Sequence, residues 1–327
     1  MLSIVLYGCR KKDKVDSFRA SMSKESSNKI ILGFSQIGAE SAWRNYNTVS
    51  IQRAAAKAGI QLLYVNGEQK QENQIQAIRS FIAYQVDVIA FVPIVQTGWE
   101  NVLGEARAAG IPVIVCDRKI SVDDETLYEG YIGTDSVEEG RQAAHFLERK
   151  YEGQEGVFNI LELRGTDDSS ASDGRVSGFH SVLDSDPRFN VILSISGDFM
   201  RSRGEEIARN LLRENNGLLE INGQKIDILF SCNDGMTLGF LSVLEENNIM
   251  TGKNITVITV DAQQEAVDML RDGKINCVIE CNPDQGDGIM ELVKKLAGGY
   301  DIPRHTNVEE RIFSEFDDLS SIEPRGY

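Results

Sequence analysis

Histidine, paired cysteine and long apolar runs are scarce in this sequence, and each scarcity removes a class of function. Its three histidines, His145, His180 and His305, include none beside a second His or a Cys at metal-ligand spacing. No GxSxG elbow, no Walker loop and no GxGxxG after a first strand occur. No acid/base or nucleophile set can be assembled, so catalytic residues, a cofactor and a metal are not expected. The five cysteines are scattered, and Cys116, Cys232, Cys277 and Cys281 fall in apolar strand-like runs. Cys116, Cys232 and Cys277 read as small core residues, and the five make neither a disulfide framework nor a CxxC site. No run reaches the roughly 18 apolar residues of a membrane-spanning helix. Basic excess is missing too: 34 Lys and Arg against 50 Asp and Glu leave a formal charge of −16. Such a field repels phosphate backbones and anionic lipid, which argues against nucleic acid as a partner.

What is present is alternation. Apolar runs at 29–36, 60–66, 86–93, 111–117 and 128–135 are followed by a second series at 156–164, 190–198, 226–233, 255–261 and 275–281. Helix-length segments lie between them, at about 40–58, 70–84, 98–109, 136–150, 170–184, 201–213, 235–247, 262–272 and 285–297. Nearly continuous apolar strands separated by helices predict an α/β fold with parallel sheets covered on both faces. Ten strands in two series, in 327 residues, predict two similar lobes.

The strand ends carry the polar chemistry. Ligands of open α/β sheets bind at the carboxyl ends of the strands. Asp135, before SVEEGRQAAHF, reads as a helix cap. Asp117 and Arg118 close the run PVIVCD with no helix to cap, so they need another partner. Trp43 and Arg44 follow the first strand, and Arg175 opens a helix of the second series. Carboxylates, guanidinium forks and an aromatic face suit a neutral polyol, each charged hydrogen bond contributing on the order of 1.5 to 3 kcal/mol.

Seven ordered stretches then carry a resemblance: GFSQIGAESAWR, GEQKQENQIQAIRSF, PIVQTGWE, VCDRKI, SGDFMRSRG, CNDGM and VDA. With them the chain resembles the periplasmic sugar-binding proteins of ABC transporters, of the ribose and galactose type, and is most similar to the galactofuranose-binding branch. The resemblance implies two Rossmann-like lobes joined by a three-segment hinge (periplasmic binding protein type I). One lobe is expected from 29–135 plus 282–305, the other from 136–281 plus 306–327. It implies ligand contacts from Ser35, Trp43, Arg44, Asp117 and Arg118 in the first lobe, with Arg118 orienting Asp117 in the empty cleft. In the second lobe it implies contacts from Arg175, Asn233 and Asp261. Cys281 stands where ribose-type members place a sugar-contacting glutamine, and a thiol cannot replace an amide's two-way bonding, which argues against ribose.

The implied partners are a monosaccharide and an ABC transporter permease, for a monomeric extracytoplasmic protein at the periplasm or cell surface. An alternative is the sugar-sensing effector domain of a transcription regulator or of a chemotaxis or two-component receptor system. The regulator would place roughly 60 residues ahead of the first strand, where this sequence has 28. Residues 1–28 are expected to be a signal remnant and linker. Leu6-Tyr7-Gly8-Cys9 resembles a lipobox, implying lipidation of Cys9 and a membrane attachment through that anchor alone.

Overall fold

The computed structural model describes residues 29–327, so the expectation on Cys9 and the 1–28 segment lies outside the described residues. The first series of elements is β1 (Ile31–Gln36), α1 (Ala42–Ala58), β2 (Gln61–Asn66), α2 (Gln71–Tyr84), β3 (Val88–Phe91), α3 (Glu100–Ala108), β4 (Val113–Cys116) and β5 (Gly130–Gly133). The second is α4 (Ser136–Lys150), β6 (Phe158–Arg164), α5 (Ser170–Leu183), β7 (Phe189–Ser196), α6 (Arg201–Glu214), β8 (Glu220–Ile221), β9 (Gln224–Lys225), β10 (Ile228–Ser231), α7 (Asp234–Glu246), β11 (Thr256–Asp261), α8 (Gln264–Arg271) and β12 (Cys277–Glu280). The chain then adds α9 (Gly286–Ala297), β13 (His305–Asn307) and β14 (Ile312–Ser314).

Local chemistry sets these boundaries. The Ser41 side chain accepts from the Arg44 N–H to open α1, and Gly59 at φ 71° closes it. Asp135 accepts from the Val137 and Glu138 N–H groups and starts α4, the capping role its sequence context predicts.

Two six-stranded sheets result, ordered β13-β5-β4-β3-β1-β2 and β14-β12-β11-β10-β6-β7. The orders match strand for strand, so the lobes repeat one topology. They differ at one edge: β13 joins β5 in parallel, whereas β14 joins β12 antiparallel. Every residue of β3, β4, β10 and β12 is buried, as strands sandwiched between helix layers must be. The first sheet carries a separate apolar cluster on each face, centred on Phe34 and Ile89, and the second sheet one large cluster around Phe179 and Phe230.

The chain crosses between lobes at 134–135, at 281–285 and at 308–311. The expected boundary after His305 falls inside β13, which pairs with Tyr131–Gly133 along its whole length. The third crossing therefore lies later, because three hydrogen-bonded residues hold 305–307 to the first sheet. Short strands of this kind lack the apolar run by which the longer ones were recognised.

One close approach fixes the second lobe's mouth. A Cβ on Gly140 of α4 would lie 2.0 Å from the Arg175 carbonyl oxygen, so only glycine lets α4 and α5 touch there. A Gly140→Ala change would push α5, and with it Arg175, out of place.

Candidate ligand-binding site

Between the carboxyl ends of the two sheets lies a cavity of ≈ 290 Å³, its open mouth included. The first lobe lines it with Glu40, Ser41, Trp43, Arg44, Asp117 and Arg118; the second with Ala171, Arg175, Phe199, Asn233 and Asp261; Cys281 enters from a crossing. Seven of the eight expected ligand-binding residues thus meet at one place.

Ser35 does not. It is buried in β1 between Val65 and Phe91, its hydroxyl without a partner, and is absent from the cavity wall. Side chains alternate along a strand, and the one at 35 points into the sheet's helix layer rather than past its end.

At the first lobe's mouth four charges alternate. Arg44 Nη2 donates to Asp117 Oδ2 at 2.6 Å, and Arg118 Nη2 donates to Glu40 Oε1 at 2.5 Å. The expected orientation of Asp117 by Arg118 is therefore corrected: Arg44 performs it, and Arg118 is occupied by Glu40. Burial works against the Asp117 charge, but Arg44 and Arg118 outweigh it and hold the carboxyl below its ordinary value. Arg44 Nη1 and Arg118 Nε and Nη1 have no partner among the described residues. Buried donors without acceptors are costly, so they are available to a ligand.

The second lobe is wired differently. Arg175 Nε donates to Glu139 Oε2 at 2.5 Å, Nη1 donates to the Cys232 carbonyl at 2.6 Å, and Nη2 lies 4.0 Å from Asp261 Oδ1. Burial raises Asp261 well above the ordinary carboxylate value; Arg175 opposes this, while Asp234 and Glu139 reinforce it. Asn233 is shared, since its Oδ1 caps α7 by accepting from Met236 N while its Nδ2 donates to the Phe199 carbonyl.

Two aromatic side chains complete the walls. Trp43 is 3% exposed, packs with the second lobe's apolar cluster, and donates from Nε1 to the Cys281 carbonyl at 2.5 Å. The Arg44 guanidinium covers its ring at 4.6 Å, so part of the face expected to stack on a ligand is taken. Phe199, which sequence reasoning missed, lies under Arg118 at 4.9 Å. Glu40 and Glu139 were missed as well. Glu40 stands within the stretch GFSQIGAESAWR that carries the resemblance, but Glu139 follows a helix cap and reads as an ordinary first-turn acid.

Backbone strain gathers at the same spot. Asp117, Phe199 and Asp261 have φ of 61°, 60° and 121°, a region that costs a non-glycine residue on the order of 1 to 3 kcal/mol. Across the lip opposite the hinge the lobes touch: Gln96 Nε2 donates to Asp173 Oδ2 at 2.7 Å, Gln96 N to the Asp168 carbonyl at 3.0 Å, and Lys119 N to Ser170 Oγ at 2.6 Å. The cleft is closed.

Known proteins share this fold. The galactofuranose-binding protein YtfQ of Escherichia coli (strain K12) is 36% identical over 266 residues, 81% of each chain. A Mycobacterium smegmatis structure in complex with β-D-fucofuranose superposes with a TM-score of 0.83 at 39% identity, covering 88% of this chain and 92% of that one. The binding-protein component of the arabinose ABC transporter from Shewanella sp. ANA-3, bound to α- and β-L-arabinofuranose, gives 0.81 at 35% identity, covering 87% and 91%. Residues 32–301 match the periplasmic binding protein domain. The chain belongs to the periplasmic binding protein family, and its relatives are binding proteins, not enzymes.

Proposed function

We propose that this protein captures a monosaccharide in a five-membered ring form, galactofuranose or a related sugar, and delivers it to the permease of an ABC transporter. The supporting observation is the pairing of unpartnered guanidinium N–H groups with buried carboxyls around one small cavity between the lobes. Sugar hydroxyls both donate and accept, so Asp117, Asp261 and the free donors of Arg44 and Arg118 meet both needs. Three relatives at over a third identity carry furanose sugars in their names. A ligand bridging both lobes stabilises the closed form by contacts the open form lacks, and the transporter reads that form.

Ser35 takes no part in this reading, whereas Glu40 and Phe199 join it. The same proposal holds that the protein is an extracytoplasmic monomer anchored through lipid on Cys9, a residue outside the described ones. A mass measurement on membrane-extracted protein checks the anchor: an unmodified N-terminus beginning at Met1 overturns it.

Calorimetry against D-galactose, D-fucose, L-arabinose, D-ribose and D-fructose tests the ligand class. Binding near micromolar, about −8 kcal/mol, is expected for a sugar with an accessible furanose form. Silence across the panel, or turnover of a bound sugar, overturns the reading.

A further inference from the structure

Behind the cavity the three crossings converge on one buried point. The first leads into α4 and brings Glu139, the second brings Cys281, and the third brings Glu310. One carboxylate oxygen of each Glu and the Cys281 Sγ all lie within 4.8 Å of one another. Glu139 is 1% exposed. Its Oε2 is committed to Arg175, but its Oε1 makes no hydrogen bond to the described residues, and neither does the Oε1 of Glu310. The two carboxyl groups thus face each other across no more than 4.8 Å.

Two buried acceptors facing each other without a donor are untenable as a pair of charges: desolvation and mutual repulsion both oppose it. One proton between them turns two orphaned oxygens into one hydrogen bond. A metal ion fits less well, since Arg175 already sets a positive charge against Glu139 and burial keeps the Cys281 thiol protonated. We propose that Glu139 and Glu310 share one proton, and that this pair is a positioning device that holds Arg175 in the cleft, so that ligand affinity follows the proton.

The surroundings define where the proton sits. Arg175 faces the pair from α5, Asp261 from the end of β11, Cys281 from the second crossing and Tyr131 from β5. The Asp135 N–H approaches Glu310 Oε2 at 3.4 Å. Burial, with the Glu139 charge next, pushes the Glu310 carboxyl up to about 11. Burial also resists ionisation of Glu139, but Arg175 outweighs it and holds that carboxyl below its ordinary value. The proton therefore resides on Glu310 and is donated to ionised Glu139. Its loss would leave two carboxylates competing for one guanidinium, drawing Arg175 toward the crossings and away from the Cys232 carbonyl and the cavity.

The coupling to affinity rests on the sugar-binding reading; the shared proton does not, and the experiment separates them. Infrared pH titration of the protein alone should show a protonated carboxyl band that Glu310→Gln removes. Its absence overturns the proposal, as does its removal by a chelator. Calorimetry with D-galactose and L-arabinose from about pH 8 to 12 should show affinity falling as pH rises through about 11. Glu310→Ala should lose at least about tenfold in affinity, a change of 1.4 kcal/mol. Glu310→Gln should recover most of that loss and flatten the pH profile, because its amide donates without titrating. Superimposable wild-type and Glu310→Gln profiles overturn the positioning role. If neither sugar binds, the proposed ligand class fails and the infrared band alone decides the proton.

Discussion

At the mouth of the first lobe Asp117 is held ionised between two guanidinium groups, whereas at the mouth of the second burial, reinforced by Asp234 and Glu139, pushes Asp261 toward its protonated form. The topology under both is the same. What differs is the bookkeeping of charge: two acids face two bases in one lobe, and in the other Arg175 alone serves Glu139, Asp261 and the Cys232 carbonyl. The first lobe can therefore give up a contact to a ligand at little structural cost. The second cannot, because its arginine is also the brace of its own interior.

That contrast orders the expected effects of mutation. Arg175→Ala should be the most severe, leaving Glu139 buried without its cation at a cost of about 3 to 5 kcal/mol in stability and abolishing measurable binding. Thermal melts with calorimetry check both; an unchanged melting temperature would erase the distinction between the lobes. Asp117→Ala comes next, with affinity down about 10- to 100-fold, since one charged hydrogen bond contributes on the order of 1.5 to 3 kcal/mol. Its melting temperature should fall less than that of Arg175→Ala, because Arg44 retains Glu40 at 3.4 Å.

Contacts at the lip are weaker. Asp173→Ala removes the Gln96 bond and should speed ligand release by a factor of about two to five, read by stopped flow, as expected of a half-exposed polar contact. The smallest effect belongs to His180, whose Nε2 lies 3.2 Å from buried Glu162 and whose Nδ1 lies 2.7 Å from Asp184. Burial works against its charge, but the two carboxylates outweigh it and raise it above 6.5. The stabilisation is thus complete below its unfolded value and lost as pH rises through the folded one. Discounted for exposure, it should move the melting temperature by about 1 to 2 °C between about pH 6 and 8, and His180→Gln should flatten that slope.

Much of this was legible in the sequence. Alternating apolar runs and helix-length segments gave the nine helices of the described residues to within two residues at each end, because parallel strands buried on both faces leave no other pattern. Strand ends exposed Asp117, Arg118 and Asp261, since charges there have no place in a core. Harder to see was who pairs with whom: that Arg44 rather than Arg118 takes Asp117 depends on helix α1 facing β4, a contact between residues 73 apart. Glu139 and Glu310 were invisible for the same reason, since their meeting requires three crossings to fold together. The short β13 and β14 carry too little apolar pattern to be recognised alone.

The left-handed backbone at Asp117, Phe199 and Asp261 has a practical consequence for engineering. Glycine would relax each of these positions at no steric cost. At 199 that gain is smaller than the cost of deleting a buried phenyl ring, and at 117 it would strip Arg44 of its acceptor, so a selection for heat resistance alone is expected to enrich glycine at 261, yielding a sturdier protein that has discarded one wall of its own cavity. Durable versions that keep their ligand must gain stability elsewhere, and a library that holds position 261 fixed is the way to obtain them.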